Sequence, residues 1–151
     1  MKIEISKSDR KLRLYDGAGV IREFDVVFGF APTGSKEVEG DGKTPEGEYI
    51  VCVKNPESTF HRSLGLNYPN ESDARRGLIA GLIHQNEYEA IIEAVSSGKL
   101  PPQNTALGGE IYIHGGGTDG DWTRGCIGLS DVEMTELFEK TVVGTPVLVL
   151  P

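Results

Sequence analysis

The sequence predicts a mainly β fold: a mixed sheet or sandwich with a helical insertion at about 72–98 and a further helix near the C-terminus. Three observations carry this expectation. Stretches with a period of two crowd the first 53 residues. An i, i+3, i+4, i+7 stripe occupies the middle, and strand-like runs return in the last third. The 151 residues fit one domain, 1–151, with no repeat or linker.

The elements follow in order. Lys2 to Ser6 alternates, with Ile3 and Ile5 on one face, and Lys11 to Tyr15 repeats the pattern with Leu12 and Leu14. Asp16-Gly17-Ala18-Gly19 is a turn, and Val20 to Phe28 is a third strand with Phe24, Val26 and Phe28 on one side. Short connections between these runs argue for antiparallel pairing. A glycine-rich connection over 29–47 ends in Thr44-Pro45-Glu46-Gly47, which suits a type I turn. Tyr49 to Val53 is a strand of β-formers. Ser72-Asp73 suits a helix cap ahead of Leu78, Ile79, Leu82 and Ile83. Tyr88, Ile91, Ile92 and Val95 form the helical stripe, ended by Gly98 and Pro101. Glu110 to His114 is a strand, and 115–125 is a glycine-rich loop. Ser130 to Glu133 reads as a capping box opening a helix with Met134, Leu137 and Phe138 inward. Gly144 stops that helix, and Pro146 to Leu150 closes the chain as a strand.

Composition narrows the function. Hydrophobic residues make up 38%, and 20 glycines bring the apolar share near half, as in globular proteins. Fifteen basic residues against 23 acidic ones leave a net charge of −8. With no basic stripe, a nucleic-acid partner is disfavoured. No apolar run is long enough for a membrane span. Two cysteines, Cys52 and Cys126, make no disulfide scaffold and lack the paired spacing of a zinc site. The first residues carry no export signal. Gly42-Lys43-Thr44 is not a phosphate loop, because Glu37 stands where the first glycine belongs and a proline and a strand follow.

The chemistry concentrates in one segment, Ile113-His114-Gly115-Gly116-Gly117-Thr118-Asp119-Gly120-Asp121-Trp122-Thr123-Arg124-Gly125-Cys126-Ile127-Gly128-Leu129. A histidine ends a strand, and a cysteine follows in a Gly-Cys turn. Cysteine attacks as the thiolate, so a nearby imidazole must take its proton. Gly125 removes a side chain where a substrate carbonyl must approach. Backbone N–H groups near Gly125 and Cys126 are then candidate donors to an oxyanion. An activated thiolate of this kind is expected to alkylate unusually fast near neutral pH. Arg124 is a candidate to bind a substrate carboxylate in a fork or to favour the thiolate. Trp122 is a candidate to wall a groove or, equally, to anchor the loop, and Thr123 to hydrogen-bond within the turn. His61 is a candidate groove residue with a structural role as its alternative, His84 is expected to be structural, and Cys52 to pack in the core.

These residues resemble the catalytic signature of the L,D-transpeptidase (YkuD) domain. There, a histidine is followed at a distance by Ser/Thr-His-Gly-Cys-hydrophobic-Arg/Asn. The resemblance spans nearly the whole chain: an opening sheet, the Thr44-Pro45-Glu46-Gly47 segment, then the His114 and Cys126 segments in family order. Phe60-His61-Arg62-Ser63-Leu64 and Asn67-Tyr68-Pro69-Asn70 look like a subgroup of it. Two positions depart, since Arg124 stands at the family's second histidine and Gly128 at its Arg/Asn. The resemblance implies Cys126 as nucleophile and His114 as general base, held by a backbone carbonyl near Gly115. It also implies peptidoglycan stem peptides as substrate, release of D-alanine, an envelope location, and no metal or organic cofactor. The alternatives it leaves are a hydrolase or carboxypeptidase, an amidase releasing wall-attached lipoprotein, and a non-catalytic wall-binding module. Oligomeric state is not legible.

Overall fold

A computed structural model describes residues 1–151. Eight strands and three helices form: β1 (Lys2–Ser6), β2 (Lys11–Asp16), β3 (Gly19–Asp25), β4 (Gly47–Ser58), β5 (His61–Leu66), α1 (Glu71–Ile79), α2 (Gln85–Ser96), β6 (Tyr112–His114), β7 (Ile127–Gly128), α3 (Asp131–Lys140) and β8 (Pro146–Leu150). The sheet order is β3-β2-β1-β8-β4-β5-β6-β7. The opening strands pair antiparallel as expected, but β1 runs parallel to β8 and β6 parallel to β7, so the sheet is mixed. Its two ends meet: the chain leaving β3 bridges β7 through Val27 and Gly128, with N–H···O distances of 3.0 and 2.9 Å.

This closure explains why the third strand stops early. The sequence carries it to Phe28, yet β3 ends at Asp25, because the next residues leave β2 to pair at the far end of the sheet. Ile3, Ile5, Leu12, Leu14 and Phe24 point inward onto a core of 20 buried residues shared with Val147, Val149, Met134 and Leu137. The period-two pattern therefore marked the correct faces.

The 29–47 connection has no regular structure but is tightly held. Asp41 accepts from the N–H groups of Glu37, Val38 and Lys43 and from the buried Lys36 ammonium at 3.1 Å. The buried Lys7 ammonium donates to the carbonyls of Gly34 and Thr44 and to Glu46. Thr44–Gly47 does not form the expected turn. Lys7 and Ser35 take its polar groups, and it leads directly into β4. That strand runs 12 residues, well past Val53, because β5 pairs with its second half.

The helical insertion is two helices with a break at residues 80–84, covering the expected range. Asn70, two residues before the expected Ser72, caps α1 in a capping box with Asp73. A small second core of Ala74, Ile83, Ile91 and Leu107 seats the pair, while Ile79 lies exposed at the break. In α3 only half of the expected box forms, with Ser130 Oγ accepting from the Glu133 N–H. No helix is long and apolar enough to cross a membrane.

Candidate active site

The sheet brings His114 and Cys126 to one face. In the parallel β6–β7 ladder Ile113 faces Ile127 and His114 faces Gly128. Both isoleucines are fully buried on the core side. Side chains alternate along a strand, so Tyr112 and His114 emerge on the opposite face, and Cys126 lies two residues before the partner of His114. A cavity of about 700 Å³ opens there, lined by both candidates and by Tyr112, Trp122, Arg124 and Glu110, among others. Its size is within the usual range for small-molecule sites. A larger cavity of about 900 Å³ lies beside α1, β4 and β8, but no histidine or cysteine lines it.

The imidazole is held in one tautomer. His114 Nδ1 lies 2.6 Å from the Gly115 carbonyl oxygen. A carbonyl only accepts, so Nδ1 carries the hydrogen and Nε2 is left with its lone pair. Gly115 permits the close turn: a Cβ there would meet Asp131 Oδ1 at 2.5 Å and the Phe60 carbonyl oxygen at 3.0 Å. The ring stacks on Phe60, with centroids 4.7 Å apart, and Trp122 packs edge-on to Phe60 and tilted to His114. Trp122 is fixed by its indole N–H, which donates to the Gly117 carbonyl at 3.0 Å. Burial lowers the His114 pKa, and the Gly115 bond only partly opposes this. The histidine is therefore a neutral base at neutral pH.

The thiol is seated by backbone. Cys126 Sγ donates to the Glu110 carbonyl at 3.2 Å and accepts from the Tyr112 N–H at 3.4 Å. Burial pushes the thiol up to about 11; the Tyr112 N–H partly offsets this, the Glu110 carboxylate adds to it, and the Lys36 ammonium opposes it. The resting pair is thus thiol and neutral imidazole, contrary to the activated thiolate expected from sequence. The cation acting on the thiol is Lys36, whereas Arg124 is an exposed side chain at the cavity wall.

The turn before Cys126 is built on Thr123. Its buried hydroxyl donates to the Cys126 carbonyl at 2.7 Å and accepts from the Gly125 N–H at 3.2 Å. Thr123 thus has its hydroxyl committed to the turn, and the Gly125 N–H is not free to serve an oxyanion. The N–H groups of Arg124 and Cys126 donate to no other group of the chain. Gly125 is required by shape, at φ 135° with a Cβ position 2.8 Å from the Lys43 carbonyl oxygen.

His61 lies elsewhere. Its Nε2 is 2.6 Å from Thr135 Oγ1 on α3, and its side chain does not line the cavity, so the structural alternative holds. His84 caps α2. Cys52 is half-buried, with its thiol donating to the Gly65 carbonyl at 3.6 Å, and both cysteines are free. Sequence reasoning missed Lys36, Phe60, Glu110 and Tyr112 as site residues. Tyr112 carried a signal by sharing a strand face with His114, and Phe60 by opening the Phe60–Leu64 stretch of the resemblance.

The L,D-transpeptidase catalytic domain (YkuD) family model matches residues 1–149. The chain belongs to this family. Solved structures share the YkuD fold. A variant of the helical cell shape determining protein Pgp2 from Campylobacter jejuni aligns with TM-score 0.65 and 22% identity, over 97% of this chain and 45% of that one. The L,D-transpeptidase from Xylanimonas cellulosilytica gives 0.56 and 18%, over 98% and 59%. Mycobacterium tuberculosis L,D-transpeptidase 1 gives 0.58 and 13%, over 99% and 61%. The YkuD chain thus spans roughly half the length of these solved chains. No curated protein matches it.

Proposed function

We propose that residues 1–151 form one catalytic domain, a cysteine-dependent L,D-transpeptidase acting on peptidoglycan stem peptides in the cell envelope. The observation that carries this reading is the shared cavity of Cys126 and a tautomer-locked His114 in a chain of this family.

The chemistry follows from the geometry. His114 Nε2 takes the thiol hydrogen as Sγ attacks the carbonyl of the third stem residue. The N–H groups of Cys126 and Arg124, free of other partners, serve as the oxyanion donors in this reading, and such donors are worth about 10²–10³ in rate each. The imidazolium returns its proton to the departing D-alanine amine, leaving a thioester on Cys126. The amine of a second stem attacks this thioester and restores the thiol. No metal or organic cofactor enters these steps. The Arg124 guanidinium binds a stem carboxylate, so Arg124→Ala raises KM more than it lowers kcat.

Mass spectrometry of a purified disaccharide-tetrapeptide incubated with the protein and with Cys126→Ala tests this. Loss of D-alanine with a cross-linked dimer, absent in the variant, supports the transpeptidase. Loss without a dimer makes it a hydrolase. An untouched substrate overturns both, leaving an amidase of lipoprotein linkages or a wall-binding module.

A further inference from the structure

We propose that Gln103 is a positioning residue for the Cys126 thiol, acting through the backbone of Glu110. The proposal rests on the reading of Cys126 as nucleophile and adds what holds its sulfur in place.

Glu110 has φ 56°, in the left-handed region that side-chain-bearing residues rarely enter. Such a conformation persists only where its surroundings over-determine it. Here the determinant is one side chain. Gln103 Oε1 accepts from the Glu110 N–H at 2.6 Å, and its Nε2 donates to the carbonyls of Tyr68 and Pro101 at 2.8 and 2.9 Å. Both ends of the amide are in use, so it cannot flip without losing bonds. Gly109 lets this contact close up, since a Cβ there would lie 2.8 Å from Gln103 Cα.

The consequence appears at the carbonyl of the same residue, across its φ and ψ. With Glu110 left-handed, its carbonyl takes the Cys126 S–H at 3.2 Å, and two residues on the Tyr112 N–H donates to Sγ. The sulfur is gripped by two backbone groups: the Tyr112 N–H, whose peptide is fixed by the Leu66 N–H donating to the Ile111 carbonyl at 3.0 Å, and the Glu110 carbonyl, whose direction Gln103 sets. Neither end of the Gln103 amide bonds to the thiol. An acceptor carbonyl favours the protonated thiol, so the latch also delays thiolate formation.

The test is the pH dependence of Cys126 alkylation by iodoacetamide, read at that residue by peptide mass. Lys36, Glu39, Glu110, Tyr112, His114 and Arg124 face the same cavity, and Gln103→Leu alters none of their charges. In Gln103→Leu the Glu110 backbone relaxes, the carbonyl swings away and the alkylation midpoint falls below that of the wild type. A second change, Glu110→Gly, moves it back towards the wild type, because glycine enters positive φ without steric strain. Glu110→Val, at an exposed position, forces the same relaxation without touching Gln103, and Glu110→Gln measures loss of the carboxylate alone. With the tetrapeptide, Gln103→Leu lowers kcat on the order of 10²-fold with KM nearly unchanged. An unchanged alkylation midpoint in both Gln103→Leu and Glu110→Val overturns the proposal. A shifted midpoint in a protein that leaves the tetrapeptide intact supports it and overturns the transpeptidase reading alone.

Discussion

The imidazole of His114 lies stacked on the ring of Phe60, with centroids 4.7 Å apart and planes inclined by 23°. Phe60 sits at the turn between β4 and β5 and is 43% exposed, while His114 beneath it is only 4% exposed. An apolar ring thus covers a base whose partner, the Gly115 carbonyl, fixes only one of its nitrogens. Burial holds the His114 pKa below its ordinary 6.5, so the neutral form persists into mild acid.

Removing that cover re-solvates the ring. Phe60→Ala is expected to move the His114 pKa back up towards 6.5, read by NMR titration of the ring protons. The acid limb of the kcat/KM profile should move up with it. A limb at the wild-type position in a folded Phe60→Ala protein would show that the stack does not set the pKa.

The thiol gives a second pH prediction. With its pKa pushed up to about 11, only about 10⁻⁴ of Cys126 is thiolate at pH 7. Alkylation should be slow there and climb about tenfold per pH unit until it levels near the pKa. Fast alkylation at pH 7 in the free protein would contradict the resting pair described above.

Asp41 organises the loop that carries Lys36 to the cavity. Burial alone would raise its pKa, but the three N–H donors and Lys36 outweigh it and hold the carboxyl below 3.8. The stability this supplies is fully present above the unfolded value of 3.8 and is lost as pH falls through the folded pKa. Asp41→Ala strands a buried ammonium, at a cost of about 3–5 kcal/mol. Urea unfolding at pH 7 measures the loss, and the gap between variant and wild type should narrow at pH 3.

Gly125→Ala tests the turn before the thiol. A side chain at φ 135° is strained by about 1–3 kcal/mol, and here it also presses on the Lys43 carbonyl. The expected result is a folded protein of lower Tm. Its acylation rate should fall by about 10²–10³ if the turn sets the Arg124 and Cys126 N–H groups as oxyanion donors. An unimpaired rate would remove this turn from the oxyanion argument.

Much of this protein was legible residue by residue. Period-two alternation determined which faces of β1 and β2 are buried, because a strand's inward set depends only on parity. His114 and Cys126 were legible because a thiol and an imidazole flanking glycine turns carry chemistry in their own types and spacing. Other features depended on distant partners. β5 was hidden because its pairing with β4 and β6, rather than its local pattern, makes it a strand. The parallel β1–β8 and β6–β7 ladders and the Val27–Gly128 closure join residues far apart in the chain. Only the tertiary structure sent His61 to Thr135, brought Lys36, Phe60 and Glu110 to the cavity that Cys126 lines, and committed the Gly125 N–H to Thr123. It also kept Cys126 protonated, because a pKa is set by burial and by neighbouring dipoles, and neither exists until the chain has closed around the group.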